Sequence, residues 1–414
     1  MKTSIVIPSY WTKTTGKPTD RFYNIYDHPT PIDDEGTLGR CLESLRRVEG
    51  EFDVVLIGSA TEPYLQTKVE ERLAQFAKDF EDLNVTVFSY TQLRSLHQRM
   101  AQLGMDDLVE QVSLDGYGNI RNLCIIVPHI LGSEVVVMID DDEVVKDPAF
   151  LEKALDCLGE EADGKPVWAK TGYYVNEAGS YLSDVKMHWY DLFWEKRRMM
   201  NDAFKAIGVP PRCSPTPQFL GGCTVLHREI FTRVSFDPAI TRGEDIDYGI
   251  NAKMHGFEVF LDNELWVTHL PPPKRQQRLV FRADVYRFIY EHRKLEYLRS
   301  QVDLKPVRPK DLDPYPGPFV RQSIGTKAFL TAVARAFRDI FRGGFIAYLK
   351  MAKVSLVDAP RYAKEKCNDY FAFQRRWPQF MEKIGEDPGL QQHVPMEREL
   401  TGEVPTLTPE MLDG

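Results

Sequence analysis

The 414-residue chain lacks a cysteine framework: its six cysteines (41, 124, 157, 213, 223 and 367) include no CxxC pair. That spacing excludes a disulfide scaffold and fits free thiols in a reducing, cytoplasmic setting. No uncharged apolar run approaches the length needed to cross a bilayer. A signal-peptide core is missing too, because Met1-Lys2 leads straight into the short strand Ser4-Ile5-Val6-Ile7-Pro8. Positive charge is short overall, with a net of -9, which excludes a general nucleic-acid binder. Internal repeats are absent as well.

What is present begins with an apolar content of 43%, enough for two or three domains or for one large domain with an appendage. Charge is unevenly placed. Residues 321–380 carry 12 Lys/Arg against 4 Asp/Glu, and residues 381–414 carry 2 against 8. Strand patterns at 4–8, 53–58, 85–89 and 134–139 alternate with helical patterns at 38–48, 63–80 and 120–131. That alternation predicts a mostly parallel, doubly wound sheet. Residues 11–36 form an irregular insert. Further on, a helix is predicted over 148–158 and strands over 166–171, 219–226, 257–261 and 265–268. Helices over 245–255 and 275–298 complete this part. After the proline-rich linker at 306–318, a helical block runs from about 323 to 381.

The most informative stretch is Val135-Val136-Val137-Met138-Ile139 followed by Asp140-Asp141-Asp142-Glu143. A buried strand delivers four acids at its carboxyl end, where open α/β sheets bind ligands. Carboxylates this crowded repel one another, and a hard divalent cation removes that cost. A solvated acidic turn is the plainer alternative.

Four further groups stand beside this one. Asp115-Gly116-Tyr117-Gly118-Asn119-Ile120-Arg121-Asn122 enters a helix, whose amino end favours anions. Arg121 could instead pair with the acids and hold the loop. Gly221-Gly222 lies ahead of Arg242-Gly243-Glu244-Asp245, where an acid could cap the helix or act as a base toward a hydroxyl. His269 ends a strand before three prolines, either as a structural residue or as a third metal ligand. Lys274 and Arg275 follow it and could neutralise a diphosphate or simply start a solvated helix. Trp189 and Trp194 could stack on sugar faces, although packing is the commoner fate of Trp.

In this order the pieces resemble a GT-A-fold glycosyltransferase of the family 2 type, over roughly residues 3–275. Ile5-Val6-Ile7-Pro8-Ser9-Tyr10 matches that family's first strand and turn, and Arg121-Asn122 its arginine-asparagine helix start. Asp140-Asp141-Asp142 matches its metal-binding strand end; Gly221-Gly222 and Glu244-Asp245 match its acceptor-side motifs. The stretch 219–273 also looks like retaining GT-A enzymes of the polypeptide GalNAc-transferase type.

The resemblance implies an α/β GT-A domain over 1–275, with a nucleotide-sugar half to about 145 and an acceptor half beyond. A helical module over 276–381 and a flexible acidic tail over 382–414 would follow. It implies that Pro8, Ser9, Tyr10, Arg121, Asp140, Asp141, Lys274 and Arg275 hold the nucleotide sugar. Asp140, Asp142 and His269 would bind Mn²⁺ or Mg²⁺. Gly221, Gly222, Trp189 and Arg242 would face the hydroxyl acceptor, with Asp245 as base and Glu244 in support. The family's usual acid after the second strand has no clear match here. A sugar nucleotidyltransferase and a non-catalytic nucleotide-sugar-binding protein are the rival readings.

In the block 323–381, Phe329, Val333, Phe337 and Phe341 recur every four residues, among Lys327, Arg335, Arg338, Arg342, Lys350 and Lys353. Packing on the catalytic domain or on a second copy is the ordinary role of such a stripe. A peripheral contact with an anionic membrane is the sharper alternative.

Overall fold

The computed structural model describes residues 1–14, 26–272 and 277–393. Its strands are β1 (Thr3–Thr12), β2 (Thr30–Pro31), β3 (Asp53–Ala60), β4 (Val85–Phe88), β5 (Val135–Met138) and β6 (Glu143–Val144). They continue with β7 (Glu161–Ala162), β8 (Lys165–Pro166), β9 (Ala169–Val175), β10 (Cys213–Pro215), β11 (Thr224–His227) and β12 (Phe260–His269). The helices are α1 (Leu38–Leu45), α2 (Gln66–Asp79), α3 (Tyr90–Gln102), α4 (Tyr117–Ile130), α5 (Phe150–Leu155), α6 (Lys196–Phe204) and α7 (Arg228–Phe231). Then come α8 (Glu244–Met254), α9 (Gln277–Leu298), α10 (Ile324–Arg338), α11 (Phe345–Lys353), α12 (Ala359–Gly385) and α13 (Pro388–His393).

One sheet runs in the order β10-β12-β9-β11-β5-β1-β3-β4, with β2 beside β1 and β6 beside β12. Strands β5, β1, β3 and β4 are parallel, whereas β11 enters antiparallel between β5 and β9. The expected α/β class with helices on both faces is observed. Val135, Val136, Val137 and Met138 are each 0% exposed, which accounts for their unbroken apolar run. The crevice between the carboxyl ends of β1 and β5 is the point where chain connections leave in opposite directions. Ligands bind at such points.

Several expectations shift. The strands predicted at 257–261 and 265–268 are one strand, β12, with a register shift between Leu261 and Trp266. The strand expected over 219–226 begins only at Thr224. Helix α3 was not expected, although Ser89 and Gln92 form half of a capping box: Ser89 N–H donates to Gln92 Oε1 at 3.0 Å.

The C-terminal helices enter two cores, one shared with the sheet and one built with α8 and α9. Tyr370 and Phe371 of α12 pack with Ile246, Ile250 and Met254 of α8 and with Phe281 and Phe288 of α9. One to three turns on, Phe373, Trp377, Phe380 and Met381 join the core of β1, β5 and α4. The flexible tail expected from 382 is helical as far as His393: Arg99 holds Asp387 through contacts of 2.7 to 3.1 Å, and Leu390 is buried. Residues 394–414 of that tail lie outside the described residues.

Trp377 is fully buried and its Nε1–H donates to the Phe231 carbonyl at 2.9 Å. Trp377→Ala is expected to cost about 3–5 kcal/mol. Urea unfolding checks this, with a single transition moved to lower urea; a separate early transition for the C-terminal helices would contradict the shared core.

Candidate active site

Beyond β5, the chain turns sharply: Glu143 N–H donates to the Asp140 carbonyl at 3.1 Å, and Asp140 N–H donates back to Glu143 Oε2 at 2.8 Å. This turn faces the four carboxyl groups in different directions. Asp140 is met by Arg121, whose Nη2 lies 2.6 Å from Oδ1. Asp141 accepts from Ser9 Oγ of β1 at 2.7 Å. Asp142 Oδ2 faces His269 Nε2 at 3.3 Å, and its backbone carbonyl accepts from Leu270 N–H at 2.9 Å. Glu143 is buried beneath Gly222.

Burial sets the electrostatics. The Asp141 carboxyl is pushed up to about 8 by loss of water and then by the neighbouring Asp142, against the Ser9 hydroxyl. Glu143 is raised well above the usual carboxylate range by burial, with Asp140 and Asp142 adding to it. The Glu244 carboxyl is raised to about 7 by burial; Arg121 opposes the rise and Asp245 adds to it.

Arg121 takes the brace alternative. Its Nε lies 3.1 Å from Glu244 Oε1, so one guanidinium joins the strand-end acids to the acids at the start of α8. Its Nη1 is buried and has no hydrogen-bond partner among the described residues, leaving one donor free for an anion. On the acceptor side, Asp245 Oδ2 accepts from Gly221 N–H at 3.1 Å and Oδ1 from Ile246 N–H at 2.7 Å. Asp245 is not the helix cap, a position that Gly243 takes; its carboxylate is held by two backbone N–H groups and faces Gly221.

The two glycines make room for the protein itself. A Cβ on Gly222 would sit 2.2 Å from Glu143 Oε1, and one on Gly221 would sit 3.0 Å from Arg121 Nη2. Gly222 N–H donates to the Tyr174 hydroxyl at 3.0 Å, and the Tyr174 ring lies 5.6 Å from that of His269. Tyr174 was missed from the sequence because β9 was expected to end at 171.

On the nucleotide side, Pro8 is buried in β1, and Tyr10 meets Tyr26 and Tyr117 at ring separations of 4.2 and 5.4 Å. The Tyr10 hydroxyl is buried with no hydrogen-bond partner among the described residues. Tyr26 lies in the insert and Tyr117 at the start of α4, so spacing alone did not join them.

Two residues expected at the acceptor meet partners within the protein. Arg242 is absorbed by Asp27 at 2.5 Å and Asp284 at 3.0 Å, which ties the insert to α9. Trp189 is 58% exposed beside Tyr190, which lies under the Arg338 guanidinium of α10. Trp194 is buried among Phe281, Phe288 and Phe319. Lys274 and Arg275 lie outside the described residues. Among the described residues no group of three or more His, Cys, Asp or Glu converges as a metal cage. Asp142 and His269 make a two-donor pair, with Asp140 turned to Arg121.

Because Asp141 holds its proton to about pH 8 in the folded chain and only to 3.8 in its ordinary state, the native protein binds the extra proton in between. Stability of chelator-treated protein should therefore fall as pH rises from about 4 to 8. Asp141→Asn should flatten that fall, read by urea denaturation at each pH; an unchanged slope would contradict the assignment.

Residues 51–283 match the family model described as "Glycosyltransferase like family 2". No curated protein matches significantly. Among solved structures, a mannosyltransferase from Pyrobaculum calidifontis in complex with GDP-Man and Mn²⁺ is 13% identical, with 92% of this chain and 87% of that one covered and a TM-score of 0.45. GalNAc-T7 with UDP, GalNAc and Mn²⁺ is 13% identical, covering 83% and 57%, at a TM-score of 0.37. Glucosyl-3-phosphoglycerate synthase from Mycobacterium tuberculosis is 14% identical, covering 67% and 71%, at 0.33. The family match spans more than half of the chain and contains Arg121, the strand-end acids, the Gly-Gly pair and the Glu-Asp pair, so the chain belongs to the family 2-like glycosyltransferases.

Proposed function

We propose that this glycosyltransferase moves a hexose from a nucleoside-diphosphate sugar to a hydroxyl acceptor, with Mn²⁺ or Mg²⁺ at the end of β5. The observation that carries the reading is the approach of His269 Nε2 to Asp142 Oδ2 at 3.3 Å, beside three further carboxyl groups. An imidazole nitrogen with a carboxylate oxygen suits Mn²⁺ well, and two protein donors suffice when a diphosphate and water supply the rest. Asp142 and His269 would hold the ion, with Asp140 as the adjoining carboxylate. Such an ion supplies positive charge against the leaving nucleoside diphosphate.

The chain's own groups do the remaining work. Arg121 offers its free, buried Nη1–H toward the anionic donor while bridging Asp140 and Glu244. Ser9 holds Asp141, and Tyr10 with Tyr26 and Tyr117 forms an aromatic wall suited to a nucleobase. Across the cleft, Asp245 is oriented by two backbone N–H groups at the start of α8, a fixed position from which a carboxylate can take an acceptor proton. Glu244, bound to Arg121, keeps the acceptor side in register with the donor side.

Release of free nucleoside diphosphate from a panel of nucleotide sugars tests the reading. Asp142→Ala and His269→Ala should abolish or strongly weaken metal-dependent release, with melting temperature kept. Asp245→Asn should lower turnover by about 10²–10⁴-fold with donor affinity unchanged. Pyrophosphate as the product would establish nucleotidyl transfer instead, and full activity in Asp142→Ala would remove the metal assignment.

A further inference from the structure

The phenylalanine stripe of α10 divides in two. Phe329 and Val333 lean on the core shared with α8 and α9, whereas Phe337 is 60% exposed and Phe341, in the turn after α10, is 99% exposed. Their neighbours are exposed as well: Leu330 and Ile340 on α10 and its turn, Ile346 and Leu349 on α11, and Leu356 and Val357 just beyond. On α10, residues 330 and 337 fall on one helical face, with Phe341 following in the turn, and on α11 residues 346, 349, 350 and 353 fall on another. The opposite faces, with Ala328, Ala332 and Ala336 of α10 and Tyr348 and Ala352 of α11, are buried in the same core. Both apolar faces therefore point away from that core, on one side of the molecule. Solvent-exposed apolar clusters of this kind mark interaction sites.

Charge says what covers it. Lys350 and Lys353 share the outward face of α11 with Ile346 and Leu349, and Lys327 and Arg342 flank the face of α10. Among the described residues Lys327, Arg342 and Lys350 hold no ion pair, and Lys353 meets Asp358 only at 3.8 Å. This basic segment belongs to a chain whose net charge is -9, so the positive face is local. A second copy laid on the same face would bring like cations together, which disfavours it. Anionic headgroups would neutralise them while the phenylalanines enter the acyl boundary. No helix among the described residues is long and apolar enough to span a membrane, so contact would be in the surface plane.

We propose that the outer face of α10, the 340–342 turn and α11 docks this enzyme on an anionic lipid bilayer. The turn inserts Phe341 and Phe337, and Lys327, Arg342, Lys350 and Lys353 lie at the headgroups. Docking stands independently of the donor and metal assignments, since none of these residues belongs to the site.

Co-sedimentation of the full chain with vesicles tests it, using phosphatidylcholine alone and phosphatidylcholine mixed with phosphatidylglycerol. Binding is expected only to the mixed vesicles, falling steeply as salt rises from about 0.05 to 0.5 M. Phe341→Ser should weaken it roughly tenfold, the effect of one large apolar side chain leaving the lipid. Lys350→Glu should weaken it as well, and both variants should keep the wild-type melting temperature because both side chains are exposed. Absence of binding to the mixed vesicles, equal binding to neutral ones, or a dimer that Phe341→Ser dissociates would each overturn the proposal.

Discussion

Four consecutive carboxyl groups at the end of a fully buried strand are the constraint around which this molecule is organised. Two like charges about 4 Å apart repel by about 4 kcal/mol even at an effective dielectric near 20. The fold answers by separating the four groups. Ser9 takes Asp141, Arg121 takes Asp140, His269 faces Asp142, and Glu143 turns back on its own loop under Gly222. Each answer recruits a different element of the sheet or its helices, so the crowding of acids fixes where β1, α4, β11 and β12 must meet. A small divalent cation with a diphosphate would complete the neutralisation from outside.

The acceptor half is held to that centre by buried charge. Gly243, at φ +67°, leaves room for Arg287 of α9, whose Nη1 would lie 1.8 Å from a Cβ there. A side chain at this position would push away the guanidinium that supports the start of α8. Two turns further along α9, Lys294 reaches Asp237 at 2.5 Å and Asp247 at 2.7 Å, all fully buried. Losing one member of such a group costs about 3–5 kcal/mol, because the remaining charge is stranded. Helix α9 therefore does two things. It carries the C-terminal helices, and it sets the angle at which Glu244 and Asp245 face the acids of β5. Helices α10 and α11 pack into the same core as α8 and α9.

How much of this was legible in the sequence depended on range. Strand β5 and its acids were legible because an unbroken apolar run followed by charge has few structural solutions. The pairing of His269 with Asp142 was legible only through the order of motifs, because 127 positions separate the two and periodicity carries no such information. The Gly-Gly pair was expected to face the acceptor, and the space its missing side chains leave is taken by Glu143 and Arg121. Arg242 and Trp189 were placed at the acceptor from their neighbourhood in sequence. Two carboxylates absorb the first, and the second follows the turn that α10 holds through Arg335 and Asp191. The aromatic group of Tyr10, Tyr26 and Tyr117 spans three elements, so no local signal announced it. On α10 the four-residue stripe was expected to pack against the protein or a second copy, or to face a membrane; a spacing of four drifts about 40° round the helix at each step, so Phe337 leaves the face that Ala332 and Ala336 bury, and Phe341 lies beyond the helix end.

We propose that the Asp142–His269 pair holds a divalent cation whose coordination a nucleoside diphosphate completes. A ligand that binds only the folded state raises its melting temperature. Thermal unfolding of chelator-treated protein with Mn²⁺, with a nucleoside diphosphate, and with both measures this most directly. A rise with Mn²⁺ that grows when the diphosphate is added is expected, and no rise from either addition in Asp142→Ala. An unmoved melting temperature in the wild type, or the same rise in Asp142→Ala, would contradict it.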